Sequence, residues 1–130
     1  MENSIIDFII RIKNGYMARK ETVDSPFSRF REEIAKKLVK LSFIKDYSIK
    51  EVKPRIKKMT IELLYKNGQP AITDVKIFSK LGQRYYTPYK RIKPVLGGLG
   101  FSLLSTSKGT LTNIEARKLR VGGELLFEIW

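Results

Sequence analysis

The hydrophobic period changes along this chain, and that change limits the folds open to it. Phe30, Ile34, Leu38 and Leu41 recur at helical spacing behind Ser28, whose hydroxyl suits a helix cap. Met59, Ile61, Leu63 and Tyr65 instead alternate with Thr60, Glu62 and Lys66, the period of a half-buried strand. Helix stripe and strand face both need apolar cover, so a chain carrying both is expected to pack helices on sheet, an α+β fold.

Flanking signals extend this reading. Asn3 or Ser4 can cap a first helix over residues 4–17, with Ile5, Phe8, Ile9, Ile12 and Tyr16 on one side and Arg11, Lys13 and Asn14 on the other. Val23 to Phe27 reads as an edge strand, since Pro26 cannot donate to a ladder. A strand is expected over 43–52, then a basic turn Lys53-Pro54-Arg55, then the alternating strand. Asn67-Gly68 signals a tight turn that Gln69-Pro70 lengthens, and Val75 to Phe78 is expected to run back as the next strand. Residues 1–78 thus form an N-terminal α-β-α-β-β subdomain. Residues 79–130 read as a mainly β subdomain, an antiparallel sheet with a short helix. Its strands are 101–104 and 124–130, and its helix begins at the capping box Thr112-Asn113-Ile114-Glu115 and runs through Leu119.

Charge narrows the partners. Twenty-six Lys and Arg against thirteen Asp and Glu leave a net charge of +13, a field that selects nucleic acid, an anionic membrane surface or an acidic protein. The chain has no Cys and no His, which removes disulfides, the usual zinc ligands, thiol nucleophiles and the commonest general base. No catalytic residue, metal, cofactor or small-molecule substrate is expected. No apolar run reaches the length of about 20 residues that a spanning helix needs, and Ser4 to Phe8 is too short and too acidic for a signal peptide. A cytoplasmic location without membrane contact is the expectation.

Between Val75 and Ile114 no acidic residue interrupts Lys76, Lys80, Arg84, Lys90, Arg91, Lys93 and Lys108. Tyr85, Tyr86 and Tyr89 are interleaved with these cations, and aromatics beside cations can stack on unpaired bases. Tyr86 is the expected exposed ring, alternating with an inward Tyr85. In the same stretch the run Ser105-Thr106-Ser107-Lys108-Gly109, followed by Thr110-Leu111-Thr112, packs hydroxyls and a cation into a glycine turn. Such groups can donate and accept at phosphate, ribose and base edges. Downstream, Gly122-Gly123-Glu124 pairs two glycines that permit close backbone approach with a carboxylate that can hold a base amino edge or orient a neighbouring cation.

Several motifs fall short of the chemistry they suggest. Ser105 and Lys108 satisfy the Ser-x-x-Lys pattern of serine acyl-enzymes, but the serine ends a strand and the companion elements are missing. Gly97-Gly98-Leu99-Gly100 matches the Gly-x-x-Gly backbone clamp of KH modules, yet a strand pattern follows where a helix is needed. Neither a Walker A loop nor a dinucleotide fingerprint occurs. A rival from another class is a basic DNA-binding regulator with the second helix in a major groove, although that helix offers mostly Lys and Glu instead of base-reading residues.

Taken together, Ser105-Thr106-Ser107-Lys108-Gly109, Thr112, Glu115-Ala116-Arg117 and Val121-Gly122-Gly123-Glu124 resemble the C-terminal signature of the family of ribosomal protein eight of the bacterial small subunit. Arg11-Ile12-Lys13-Asn14-Gly15 and Gly97-Gly98-Leu99-Gly100 sit where that family has similar segments. The resemblance covers nearly the whole chain. It implies two α+β subdomains and a structural constituent of the small ribosomal subunit, a primary binder of 16S ribosomal RNA. Such a protein grips an internally looped helix of the central domain through its C-terminal half and supports early assembly. Neighbouring small-subunit proteins are implied partners, as is, for some members, a similar structure in their own operon messenger. Carried over by position, Ser105, Thr106, Ser107, Lys108 and Gly109 enter the RNA and Tyr86 lies alongside with Arg84. Gly122, Gly123 and Glu124 back the loop, and Arg29, Lys53 and Arg55 reach phosphates from the first subdomain. Ser42, Arg120 and Phe127 depart from residues common in the family, at a helix end, before the glycine pair and in the packing respectively.

Overall fold

The protein is described here from a computed structural model covering residues 2–130, with side chains from residue 5. It divides into two compact units, residues 3–72 and 73–130. The mixed helix and sheet composition is the α+β fold expected from the two hydrophobic periods.

In the first unit, α1 (Glu2–Met17) leads through β1 (Thr22–Pro26) to α2 (Arg29–Lys40), then β2 (Asp46–Lys53), β3 (Ile56–Glu62) and the short hairpin β4 (Tyr65–Lys66) and β5 (Gln69–Pro70). The sheet is antiparallel in the order β1-β3-β2, so Pro26 does stand on an edge strand. Period two puts Met59 and Ile61 of β3 on the buried face, where they join Phe8, Ile9 and Ile12 of α1 and Ile34 and Leu38 of α2 in the buried set. Ser28 caps α2 by accepting the Arg31 N–H at 3.1 Å.

The expected strand over 43–52 begins only at Asp46, because the residues before it close α2. Ser42 takes a left-handed φ of 62°, its N–H bonds the Val39 carbonyl and the Phe43 N–H bonds the Leu38 carbonyl. This is the double closure usually given to glycine, here made by the departing Ser42. Phe43 and Ile44 are consequently buried against the helix end.

The second unit holds β6 (Val75–Ile77), β7 (Tyr86–Thr87), β8 (Phe101–Thr106), β9 (Gly109–Thr112), α3 (Asn113–Leu119) and β10 (Gly123–Ile129). Strand order is β6-β10-β8-β9, with β7 also on β10, and every pairing is antiparallel. The expected division after Phe78 is therefore misplaced: Val75 and Ile77 pair with Ile129 and Phe127, and Asp74 exchanges backbone bonds with Trp130, so the break falls after Ile72. Short strands carry no signal of which partner they join. The capping box forms as expected, with Thr112 and Glu115 exchanging side-chain to backbone bonds at 3.0 and 3.2 Å. Ile92, Leu104, Leu111 and Ala116 make a core cluster under α3. Arg120 ends that helix at a left-handed φ of 55°, and Phe127 is fully buried.

One hydroxyl ties the first unit together. Tyr16 donates to the Phe43 carbonyl at 2.6 Å in the buried interior and accepts from the partly buried Leu64 N–H at 3.0 Å. Burial pushes its phenol up from the ordinary 10.0 to about 12, although the Leu64 amide acts the other way. Because the folded value is raised, its stabilisation is complete below pH about 10 and is lost as pH rises toward 12, a drop of roughly 3 kcal/mol for two pKa units. Tyr16→Phe should cost about 1–3 kcal/mol at pH 7 by orphaning the two backbone groups. It should also flatten the alkaline loss in urea unfolding between pH 9.5 and 11.5; a variant that loses stability as steeply as the parent over that window would refute the assignment.

Candidate nucleic-acid interface

The polar run folds as the tip of a hairpin. β8 and β9 pair Ser105 with Thr110 and Thr106 with Gly109, leaving Ser107 and Lys108 as the turn. Gly109 follows at a φ of 103°, a conformation that a Cβ would strain. The strand leading in extends to Thr106, beyond the expected end at Leu104.

The three hydroxyls have different roles. Thr106 Oγ1 donates to the Gly109 carbonyl at 2.7 Å and accepts from the Lys108 N–H at 3.1 Å, so it shapes the turn from inside. The hydroxyls of Ser105 and Ser107 have no partner among the described residues. Ser107, Lys108 and Gly109 are exposed, while Ser105 is half-buried.

Behind the hairpin runs β10. Glu124 lies opposite Ser105 on one side and Tyr86 on the other. A methyl group on Gly123 would overlap the Ser105 carbonyl oxygen and stand 3.0 Å from Thr106 Cγ2; on Gly122 it would overlap the Thr87 carbonyl oxygen and stand 2.8 Å from Pro88 Cα. The glycine pair is thus what lets β10 seat between β7 and the base of the loop. Glu124, with its side chain 14% exposed, meets the Arg84 guanidinium at 3.4 Å. Tyr86 is 70% exposed, the free ring the alternation suggested. Tyr85 corrects its half of that expectation: it is 48% exposed and stands edge-on to Phe78, with centroids 5.3 Å apart. It lies just before β7, so strand alternation does not govern it.

Within the first unit, Arg29 opens α2, and Lys53 and Arg55 stand at the β2–β3 turn; all three are exposed. Arg55 takes a φ of 65°, and its N–H bonds Glu51 Oε1 at 3.2 Å. The outer face of α2 presents Arg29, Glu33, Lys36 and Lys40, mostly Lys and Glu as expected, while Arg31 is buried and bonded to Asp7 and Ser25. Gly97 and Gly98 belong to a 3-10 turn bridging Val95 to Gly100, which is no link between two helices. Among the described residues no cluster of acidic side chains is placed to hold a metal ion, and no helix is long and apolar enough to cross a membrane.

Sequence reasoning missed a concavity of about 510 Å³ in the second unit, walled by Phe78, Tyr85 and Tyr86 and flanked by Arg91, Lys93 and Glu128. The acid-free stretch marks its cations. Nothing in the sequence marks Glu128, a carboxylate in a strand.

Comparison with known proteins follows the same residues. The family model for ribosomal protein S8 matches residues 3–130. Small ribosomal subunit protein uS8 of Dictyoglomus thermophilum is 46% identical over 126 residues, spanning 97% of this chain and 95% of the relative. The uS8 proteins of Chlorobaculum tepidum and Neorickettsia sennetsu are 47% and 44% identical, the first over 98% of this chain and 97% of the relative, the second over the full length of both. The chain belongs to the ribosomal protein S8 family. It is a ribosomal protein of the small subunit and not an enzyme, and its place is on the ribosome, in the cytoplasm. Membership agrees with the resemblance carried by the Ser105–Gly109 and Val121–Glu124 segments.

In this S8-family chain the fit of Gly123 against Ser105 is testable. Gly123→Ala should destabilise the protein by about 1–3 kcal/mol, since the added methyl must push back main chain. Hydrogen exchange at the amides of β8 should quicken with it. An unchanged melting temperature and unchanged exchange would show that the backbone approach is not tight.

Proposed function

We propose that this protein is a primary binder of 16S ribosomal RNA, holding an internally looped helix of the central domain through its C-terminal unit and supporting assembly of the small subunit. The observation that carries the reading is the division of hydroxyls at the hairpin tip: Thr106 is bonded inside the turn, whereas Ser105 and Ser107 are unpartnered beside an exposed Lys108. A turn held rigid by its own threonine presents neighbouring donors in fixed positions, which is what edge recognition needs.

The remaining residues divide by physics. Tyr86 offers a stacking face, and Glu124 holds Arg84 toward the same strand edge. Gly122, Gly123 and Gly109 allow close main-chain approach. Lys108, Arg84, Arg29, Lys53 and Arg55 supply attraction to phosphates, which adds affinity without sequence preference. Neighbouring small-subunit proteins are the other partners of this reading, and a messenger from its own operon is a ligand wherever it repeats the looped structure. A DNA-binding regulator has less support, because the guanidinium of Arg31 is buried in α2 and its outer face is mostly Lys and Glu.

The reading is tested by filter binding of the purified protein to the looped 16S fragment, to random RNA and to duplex DNA over a salt series. Lys53→Ala should weaken every RNA alike and reduce the slope of log affinity against log salt by about one unit. Ser107→Ala should leave that slope unchanged while narrowing the gap between specific and random RNA by about tenfold. Equal losses on both RNAs for Ser107→Ala, or tighter binding of duplex DNA by the parent, would overturn the reading.

A further inference from the structure

The concavity of the second unit carries an unusual pair of polar groups. Ser102 on β8 and Glu128 on β10 face each other across the ladder, and both line the cavity. Ser102 is only 4% exposed, and its hydroxyl has no partner among the described residues. Among those residues no fully enclosed side-chain polar atom lacks a partner, so this hydroxyl opens onto the cavity. The Glu128 carboxylate is half-buried and also unpartnered there. Lys76 stands opposite it on β6, yet the Lys76 ammonium lies over the Phe78 ring, 5.1 Å from the centroid, and makes no ion pair with it.

An unpaired carboxylate and hydroxyl side by side and open to a concavity are accepting groups that suit a ligand that donates. The walls state what kind. Phe78, Tyr85 and Tyr86 offer apolar ring faces, with Tyr85 held by bonds from its N–H to Ser79 Oγ at 3.0 Å and from the Leu125 N–H to its carbonyl at 2.8 Å. Arg91 and Lys93 are exposed cations on the same rim, suited to phosphate. A nucleotide is a ligand of that kind, planar, donor-bearing and phosphorylated. Among the bases only guanine sets two donors, N1–H and the 2-amino group, side by side on one edge to match two carboxylate oxygens. Adenine, cytosine and uracil each place an acceptor next to their donor, which a carboxylate repels.

We propose that this concavity is a pocket for one unpaired guanosine, the base edge on Glu128 with Ser102 beside it, the ring against Tyr85 or Tyr86, and the phosphate on Arg91 and Lys93. The volume of about 510 Å³ lies within the range of about 300–1,000 Å³ common to small-ligand sites. The pocket extends the RNA-binding reading and rests on it for the source of the guanosine, an extruded or loop nucleotide, while the base chemistry stands apart from the hairpin tip.

The test is a titration of the full chain, followed by amide NMR, with GMP, IMP and AMP, and with hexaribonucleotides containing a single guanosine or adenosine. GMP is expected to bind about tenfold more tightly than AMP, with IMP, which lacks the 2-amino donor, between them, and to shift the amides of Ser102, Tyr86 and Glu128. Glu128→Gln should bring GMP and AMP to parity; if that variant does not fold, Ser102→Ala is expected to narrow the same preference. Parity of GMP and AMP in the parent protein, or a preference that survives both substitutions, overturns the pocket. A guanosine hexamer bound at least as tightly as GMP supports RNA as the source, and one excluded while GMP binds overturns that source. The two readings fail separately. Loss of looped-RNA specificity in the parent with GMP preference intact sinks only the hairpin assignment, whereas full looped-RNA specificity without guanine preference sinks only the pocket.

Discussion

The architecture of the second unit depends on the backbone of β10, which is hydrogen-bonded on both edges. One edge takes β8, with a bulge between Leu125 and Phe127; the other takes β7 near its start and β6 near its end. That sharing is possible only if the strand enters between two chains already close together. Gly122 and Gly123 meet this requirement, because any side chain there would strike the Thr87 or Ser105 carbonyl. The same strand then presents Glu124 beside the hairpin tip and Glu128 beside the concavity. Sheet pairing and the placement of both carboxylates are therefore one constraint.

The first unit is tied together by buried polar groups. Arg31 is 6% exposed, yet its guanidinium bonds Asp7 at 3.1 Å and Ser25, and lies over the Phe8 ring at 5.6 Å. Partial burial pushes the Asp7 carboxyl up, but hydrogen bonds from Arg11 and Arg31 outweigh it and hold the carboxyl below its usual value. A charge this deep is tolerated because its donors are matched. It links α1, β1 and α2, as Tyr16 links α1 to the end of α2 and the end of β3. In a chain of net charge +13, this cation is turned inward and withdrawn from the surface field.

What was legible in the sequence follows from the range of the forces involved. The helix stripes, the Met59–Ile61 alternation, the Ser28 cap and the Thr112–Glu115 capping box are local, and all stand where their spacing put them. The strand starting at Asp46 was misjudged because apolar Phe43 and Ile44 look like strand until the left-handed Ser42 folds them under α2. The boundary at Ile72 was misjudged because the Val75–Ile77 pairing is with residues some fifty positions later, a choice no local pattern encodes. At the candidate site, the residue types were readable and their division of roles was not. That Thr106 bonds inward while Ser105 and Ser107 remain open depends on the turn, which only three-dimensional geometry fixes.

Excess charge and scarce specificity fit together in this molecule. Twenty-six cations would bind any polyanion, so discrimination must come from neutral or acidic groups that a wrong partner leaves unsatisfied. Under the two proposals the hydroxyls of Ser105 and Ser107 and the carboxylate of Glu128 have that part, and all lie on β8, its turn or the β10 beside it. Two of these positions, Ser105 and Glu128, are at least partly buried. A mismatched ligand would therefore cover such groups without bonding them, at a cost of about 1–3 kcal/mol each. On this reading attraction is spread over the surface Lys and Arg, while rejection is concentrated on one pair of strands and its turn.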